Sequence, residues 1–492
     1  MFFQRTQPLL FRLSMNNTEK TNVILILSDD QGYWAMGCSG NKEVQTPNID
    51  GLAKSGVMFE NFFCSCPVCS PARATLLTGR MPSAHGIHDW LAAGNASKKY
   101  DHTPKSNHLI RYLDGIPGYT DYLSKNGYLC GISGKWHLGD SYHPQKGFSF
   151  WKTLAKGGTD YYGAVMIKNC KPYVEQRYVT DVITDNALEF LERASGKNNP
   201  FYLSVHYTAP HSPWTRENHP KQTFDRYFNG CGFESVPYQV KKRPAWVKKI
   251  GIPVNDEITR RTYLSGYFTA IEEMDRNIGR ILGYIEDNGL RKNTLVIFAS
   301  DNGMNMGQHG VFGKGNATFP LNMFEESVKV PCIFSHPGVI KEGIKKGMLV
   351  SQYDIFPTLL DYLKIPFVSN RYMPGKSFSD VLKGKRFDKN NFVVVFDEYG
   401  PVRMIRTKKW KYVQRYPYGP DELYNILSDP SEEENLAGSI QHKTTEEKLR
   451  AMLMDWFLRN SEPGLEGVYQ PVTGAGQIGP CGKKSKGRLA FK

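Results

Sequence analysis

Two unbroken apolar runs that end in similar polar turns limit the fold more than any other feature. Residues 23–27 (VILIL) lead into Ser-Asp-Asp at 28–30, and residues 295–299 (LVIFA) lead into Ser-Asp-Asn at 300–302. Aliphatic and β-branched runs without alternation are typical of strands buried on both faces of a parallel sheet. Ligands of open α/β sheets bind beyond the carboxyl ends of such strands. The runs therefore predict a sheet whose ligand-binding edge carries Asp29, Asp30, Asp301 and Asn302.

Strand and helix patterns alternate over most of the chain. Residues 201–205 and 330–334 predict further strands, and apolar residues at helical spacing predict helices over about 176–194 and 256–288. This alternation predicts an α/β fold with a large central, mostly parallel sheet sandwiched by helices. No apolar run approaches the roughly 20 residues that span a bilayer. We therefore expect no membrane partner.

From about residue 391 the pattern becomes that of a small α+β subdomain, with a short antiparallel sheet and one helix. Strand-like runs at 392–396, 402–405 and 410–413 precede an amphipathic segment that contains Leu449, Leu453, Trp456 and Phe457. The predicted organisation is a leader or extra segment (1–20), a catalytic domain (21–385), the C-terminal subdomain (386–463) and a loosely ordered or wrapping tail (464–492).

Charge and cysteine content restrict the partners and the compartment. The formal net charge is +14 at pH 7, and without a nucleic-acid-binding module this favours a small anionic substrate over nucleic acid. The nine scattered cysteines do not resemble the disulfide framework of a small secreted domain. The first residues lack the cleavage site of a signal peptide. We expect a cytoplasmic protein, with a secreted or periplasmic one as the alternative; the sequence predicts no oligomeric state.

Residues 69–80 (CSPARATLLTGR) predict a short helix with a cysteine at its start. Ser70 is the expected N-cap, Pro71 the first helical residue and Gly79 the end of the helix. Free backbone N–H groups and the helix dipole favour an anion at such a position. Cys69 is thus a candidate nucleophile beside a bound anion.

Other interpretations of Cys69 remain open on spacing alone. Arg73, one turn further on, can return its guanidinium to the same site, which favours the anion. Cys69 can instead be a small buried residue. Cys64, Cys66 and Cys69 could also ligate zinc, although no second ligand pair follows at the usual spacing.

Several motifs together resemble those of the sulfatases, within the alkaline-phosphatase-like superfamily. The resemblance extends from Asn22 to about residue 440 and is carried by Cys69-x-Pro71-x-Arg73 with Thr78-Gly79-Arg80, by GKWHLG at 134–139, by PHSP at 210–213 and by GKG at 313–315. It implies that a separate formylglycine-generating enzyme oxidises Cys69 to formylglycine. It also implies one calcium ion per chain, with the ligands Asp29, Asp30, Asp301, Asn302 and the modified Cys69.

The resemblance implies roles for the remaining motif residues. Lys135 and Lys314 would bind sulfate, His137 would contact the nucleophile, and His211 would lie near the leaving oxygen. Lys135 and His137 point the same way if that segment is extended. Taken singly, His137 is more often a structural histidine, and an Asp pair is more often a turn or a helix cap.

The implied reaction begins with hydrated formylglycine, one hydroxyl of which attacks sulfur with help from Asp301. His211 is the expected general acid, with Lys314 as its rival, and His137 is the expected base when the second hydroxyl expels sulfate. Cysteine lacks that second hydroxyl, so unmodified Cys69 cannot complete the cycle.

Two other functions compete with sulfatase activity. A formylglycine-dependent phosphomonoesterase or phosphonate monoester hydrolase would share the fold, but such relatives tend to have His at the position of Asn302. A non-catalytic glycan-binding relative would usually have lost a catalytic residue. All ten motif positions are intact here: Asp29, Asp30, Cys69, Arg73, Lys135, His137, His211, Asp301, Asn302 and Lys314.

The substrate is expected to be a sulfated saccharide, such as a glycosaminoglycan or mucin fragment. Such a substrate fits the positive charge and the aromatic content of 13%. The candidates for the saccharide pocket are His88, Asp89, Trp90, His309 and Arg403.

Overall fold

The computed structural model describes residues 20–95, 109–236, 243–385, 392–395, 399, 401–417 and 419–491. The predicted leader at 1–20, apart from Lys20, lies outside the described residues. So do residues 386–391 and Phe396 of the predicted C-terminal subdomain.

The strands and helices alternate through the first two thirds of the chain. In chain order the strands are β1 Asn22–Ser28, β2 Val57–Phe63, β3 Leu129–Gly134, β4 Phe150–Leu154, β5 Ala164–Lys168, β6 Lys171–Glu175, β7 Phe201–His206, β8 Lys249–Ile250, β9 Thr294–Ser300, β10 Asn305–Met306, β11 Phe312–Gly313, β12 Thr318–Phe319, β13 Cys332–Ser335, β14 Ile344–Ser351, β15 Phe392–Val395, β16 Val402–Thr407, β17 Trp410–Arg415 and β18 Glu422–Asn425. The helices are α1 Pro47–Lys54, α2 Cys69–Thr78, α3 Pro82–His85, α4 Tyr119–Lys125, α5 Val179–Ser195, α6 Lys221–Gly230, α7 Glu257–Asp287, α8 Glu325–Val328, α9 Ile355–Tyr362, α10 Ser379–Leu382 and α11 Lys443–Asn460.

A mixed sheet of ten strands forms the centre of the molecule, in the order β14-β2-β13-β9-β1-β7-β3-β4-β5-β6. Its central strands β9, β1, β7, β3 and β4 are mutually parallel, as the apolar runs predict. The predicted strand at 330–334 is found as β13, but it runs antiparallel to both β9 and β2. The α/β fold is thus confirmed, with antiparallel strands added on both sides of the parallel centre.

Helices cover both faces of this sheet, because alternate residues of its buried strands point to opposite sides. Val23, Leu25 and Leu27 of β1 belong to one core with apolar residues of α2, α4 and α9. Ile24 and Ile26 belong to the other core with residues of α1, α5 and α7. Every residue of β1 is buried, which explains why its sequence does not alternate.

The C-terminal part forms a second, smaller sheet. Strands β15, β16, β17 and β18 pair antiparallel in that order. Leu449, Leu453 and Phe457 of α11 pack on the apolar face of this sheet. The predicted antiparallel sheet with one helix is therefore confirmed. Among the described residues, no helix combines the length and apolarity that crossing a membrane requires.

The last segment packs against the main domain. Gln477 is fully buried, and it pairs through the backbone with Trp90 and Ala92. Residues 474–481 therefore pack against the loop that follows α3 and stabilise it.

Candidate active site

Four polar side chains meet where β1 and β9 end. The two strands are parallel and adjacent, and Ser28 pairs with Ser300, so the residues that follow them lie side by side. The backbone N–H of Asp30 donates to Asp301 Oδ1 at 3.1 Å. Asn302 Nδ2 donates to Asp30 Oδ1 at 2.8 Å. All four side chains, those of Asp29, Asp30, Asp301 and Asn302, are buried, and they lie together as the sequence predicts.

Helix α2 places Cys69 beside this cluster. Single ligand atoms of Asp29, Cys69 and Asp301 all lie within 4.8 Å of one another. Burial raises the pKa of the Cys69 thiol to about 12. The unmodified side chain is therefore a neutral thiol at neutral pH and a poor nucleophile.

The start of α2 differs from the prediction. Val68, with φ −149° and ψ 139°, takes the N-cap position, and Cys69 is the first helical residue. Ser70 is not the N-cap, because its Oγ accepts a hydrogen bond from the backbone N–H of Leu91 at 3.1 Å. The helix ends at Gly79, as predicted, with φ +67°.

The zinc interpretation receives no support from the arrangement of the cysteines. Within the described part of the chain, the group of potential metal ligands that contains Cys69 includes two aspartates and no second cysteine. Cys64 Sγ lies instead 3.8 Å from the carbonyl of Ser327.

Three cations hold the buried carboxylates. Lys135 Nζ lies 2.5 Å from Asp29 Oδ2, and Arg73 Nε donates to Asp301 Oδ2 at 2.8 Å. Burial alone would raise the pKa of Asp301, but Arg73 and the two neighbouring lysines hold it well below its usual value. This carboxylate is therefore ionised at every physiological pH.

Lys314 connects the carboxylates to the cysteine. Its Nζ lies 2.5 Å from Asp30 Oδ1 and 2.8 Å from Cys69 Sγ. Burial would lower the pKa of Lys314, but Asp30 and the other neighbouring acids raise it well above its usual value. A positive charge is thus fixed next to the atom that the resemblance makes the nucleophile.

Two histidines complete the centre. Residues 135–137 are not a continuous extended segment, because His137 adopts a left-handed backbone with φ +52°. Lys135 and His137 nevertheless both line the pocket. Burial lowers the pKa of His137 well below 6.5, so its ring is neutral. His211 Nε2 lies 3.7 Å from Asp30 Oδ2, and its Nδ1 lies 2.7 Å from the Ser212 carbonyl.

Two buried oxygens at the strand ends fit a cation. Asp29 Oδ1 and Asn302 Oδ1 are buried and accept no hydrogen bond from the described residues, although Arg73 Nη2 lies 3.7 Å from Asp29 Oδ1. Leaving a buried acceptor unsatisfied costs about 1–3 kcal/mol, which a bound cation would recover. Carboxylate and amide oxygens are the ligands of hard divalent cations. The residues that the sequence assigns to a metal therefore have the donor atoms to hold one.

The centre opens into a pocket of about 430 Å³. Of the residues predicted for the saccharide, only Trp90 lines it. Its walls also contain residues that the sequence did not suggest: Leu91, Ala92, Asn95, Lys156, Gly157, Gly158 and Asn316. Residues 156–158 follow β4, so they emerge at the same carboxyl edge of the sheet as the acids. Recognition of β4 as a parallel strand would have identified them.

His88 and Asp89 are not pocket residues, although they precede Trp90. The backbone N–H of His88 donates to Gln477 Oε1, and its ring lies 6.4 Å from that of Phe491. The carboxylate of Asp89 accepts hydrogen bonds from the N–H groups of Trp90 and Gly476. The C-terminal segment covers both side chains and directs them away from the pocket.

His309 and Arg403 are also absent from the pocket walls. His309 stacks on Phe324, with ring centroids 3.9 Å apart, and pairs with Glu326 at 3.0 Å. Arg403 lies over the ring of Phe457 and pairs with Glu466. His309 thus contacts other residues of the main domain, and Arg403 contacts other residues of the C-terminal part.

Comparison with known proteins gives consistent matches over most of the chain. A family model described as "Sulfatase" matches residues 21–365, and one described as "N-sulphoglucosamine sulphohydrolase, C-terminal" matches residues 307–458. The chain is 26% identical to an N-acetylglucosamine-6-O-sulfatase of Bacteroides thetaiotaomicron, over 89% of this chain and 86% of the relative.

Solved structures share the fold. One, of a protein in complex with its substrate D-glucosamine-2-N,6-O-disulfate, has a TM-score of 0.71 at 24% identity and covers 90% of this chain and 98% of its own. The phosphonate monoester hydrolase of Agrobacterium radiobacter has a TM-score of 0.68 at 21% identity, over 90% of this chain and 96% of its own.

Proposed function

The chain belongs to the sulfatase family and is a sulfuric ester hydrolase, and on that premise we propose that it removes O-sulfate from a sulfated saccharide. The proposal includes one calcium ion and a Cys69 that a formylglycine-generating enzyme has converted. The observation that carries it is the group of Asp29, Cys69 and Asp301 within 4.8 Å, with the ammonium of Lys314 at 2.8 Å from Cys69 Sγ.

The cation and the modified cysteine supply chemistry that the other side chains lack. A divalent cation held by Asp29, Asp30, Asp301 and Asn302 would draw negative charge from the sulfate oxygens, and the hydrate of formylglycine at position 69 would supply one hydroxyl for attack on sulfur and a second for the expulsion of sulfate. Lys135 and Lys314 add fixed positive charge around the sulfate. Because they are already held by Asp29 and Asp30, they need little reorganisation when charge develops in the transition state.

His137 is suited to accept a proton. Its Nε2 lies 3.3 Å from the carbonyl of Leu91, so the N–H of the neutral ring donates there. That tautomer leaves Nδ1 unprotonated, and Nδ1 is buried with no hydrogen-bond partner in the described part of the chain. A neutral imidazole with one free nitrogen is what a base requires.

His211 is suited to donate a proton to the leaving oxygen. Its Nδ1 donates to the Ser212 carbonyl at 2.7 Å, which fixes the ring and leaves Nε2 to exchange protons in the pocket. The ring lines the pocket and is partly exposed, so a leaving alcohol can reach it. Lys314 is the rival donor, but its contacts with Asp30 and Cys69 hold its ammonium at the nucleophile.

The saccharide substrate is supported by the relatives and by the pocket. One relative is named for a 6-O-sulfated N-acetylglucosamine, and a protein of the same fold was solved with a sulfated glucosamine. Among the described residues, three lysines line the pocket of about 430 Å³, and Trp90 forms part of its wall. These features suit a small anionic sugar.

Parallel assays with an aryl sulfate and the matching aryl phosphate test the reaction class. We expect sulfate release to be much faster, and none from Cys69→Ala. Faster hydrolysis of the phosphate would instead favour the phosphonate- and phosphate-ester hydrolases that share this fold. A panel of mono- and disaccharides, each sulfated at a single position, then identifies the sugar and the position.

A further inference from the structure

The pocket contains a cation that the sulfate centre does not use. Lys156 lines the pocket together with Lys135 and Lys314. Lys135 is bonded to Asp29, and Lys314 is bonded to Asp30 and Cys69. Among the described residues, Lys156 has no ion pair or hydrogen bond, and its side chain is exposed. Its charge is therefore free for a ligand.

The described part of the pocket wall contains no acid that would neutralise this charge. Of the described residues that line the pocket, none is an aspartate or a glutamate. The carboxylates of the centre lie behind the walls and are already paired with lysines and Arg73. An anion that enters the pocket is thus attracted by Lys156, and no described acid lines the pocket wall beside it.

Asn95 supplies a second, independent indication of a ligand. Its side chain is only 6% exposed and lines the pocket. Nδ2 donates to the carbonyl of Leu91 at 2.9 Å, whereas Oδ1 is buried and has no hydrogen-bond partner among the described residues. Buried acceptors are nearly always hydrogen-bonded, so this oxygen is expected to accept a hydrogen bond from a ligand. Sugar hydroxyls and amide N–H groups are donors of the right kind.

The loop that carries Lys156 is fixed against the two histidines of the centre. Gly157 packs so closely on the His137 ring that a Cβ at this position would overlap it, and Gly158 faces Cε1 of His211. Lys156 precedes these glycines directly. Its ammonium can therefore serve a group on the sugar that carries the scissile sulfate, or on the adjoining sugar.

We propose that the pocket recognises a saccharide with a second anionic group besides the sulfate that is removed. Lys156 binds this second sulfate or carboxylate, and Asn95 Oδ1 accepts a hydrogen bond from a hydroxyl or amide of the same ligand. The inference rests on the proposed function, and it specifies the class of substrate.

The test compares three substrates in three proteins. The substrates are the monosulfated sugar identified by the panel and the same sugar with an additional sulfate; a further arm replaces the additional sulfate by a carboxylate. The proteins are the matured wild type, Lys156→Met and the control Lys341→Met, which removes the same charge from an exposed loop. The readout is kcat/KM for each substrate, measured at low and high salt.

We expect the wild type to prefer a dianionic substrate, and Lys156→Met to lose about two- to fivefold of that preference, mainly through KM. High salt should weaken the preference in the wild type, and Lys341→Met should retain it. An unchanged preference in Lys156→Met, or an equal loss in Lys341→Met, would overturn the inference while the proposed function stands. No sulfate release from either substrate by matured protein would overturn both.

Discussion

Replacing Gly157 by alanine is expected to impair catalysis by displacing His137. A Cβ at position 157 would lie less than 3.0 Å from three atoms of the His137 ring. The adjacent Gly158 provides a matched control, because a Cβ there would meet only His211 Cε1, at 3.7 Å. Neither glycine has a positive φ, so the backbone accepts alanine at both positions.

The size of the effect follows from the displacement. Ordinary contact with a Cβ begins at 3.4 Å, so the imidazole has to withdraw by roughly 1 Å, a misplacement that can cost about 10²-fold in rate. The ring lines the pocket and can rotate into it, so the strain should remain near the lower limit for overpacking, about 1 kcal/mol. We therefore expect a large loss of kcat with little loss of stability.

The assay is kcat for sulfate release from a confirmed saccharide substrate, together with the melting temperature of each variant. Gly157→Ala should lose most of its kcat and melt close to the wild type, and Gly158→Ala should match the wild type in both. Full activity in Gly157→Ala, or equal losses in the two variants, would refute the role of His137 as a positioned base.

Three further changes test other parts of the structure. Gln477→Leu should lower the melting temperature and raise KM, because it leaves the buried carbonyls of Gly86 and Gly479 and the N–H of His88 without their hydrogen-bond partner. Each unsatisfied group costs about 1–3 kcal/mol, so an unchanged melting temperature would contradict this prediction. Chelation of divalent cations should abolish sulfate release, and added calcium should restore it best. Better restoration by magnesium would contradict the assignment of calcium as the bound cation. Burial raises the pKa of Glu432 from 4.5 to about 7, so the folded state keeps a proton that the unfolded chain releases. As pH rises from 4.5 to 7, the wild type should lose stability relative to Glu432→Gln. Melting temperatures that change with pH by the same amount in the two proteins would contradict this prediction.

The strand ends and the cysteine helix were predictable because their signals are local. The buried runs before Asp29 and Asp301 show no alternation, and parallel pairing in register necessarily brings their ends together. Gly79 marks the end of α2 through its left-handed backbone. These features depend on short segments and on one rule of sheet geometry.

The rest of the pocket depends on contacts that a single segment does not reveal. The sequence does not predict strand β4, because the strand is short and its apolar pattern is interrupted by Lys152. The buried ammonium of Lys152 is paired with Glu189 from α5. His88 and Asp89 are turned away from the pocket by residues almost 400 positions later, near Gln477. No local pattern distinguishes them from Trp90, which does line the pocket.

The most direct test of the account measures sulfate release against the modified fraction of Cys69. Mass spectrometry of the peptide that contains residue 69 gives this fraction in preparations made with and without a formylglycine-generating enzyme. Turnover should rise in proportion to the formylglycine content and vanish when only cysteine is present. Full turnover by protein whose Cys69 is demonstrably unmodified would contradict the proposed chemistry of this site.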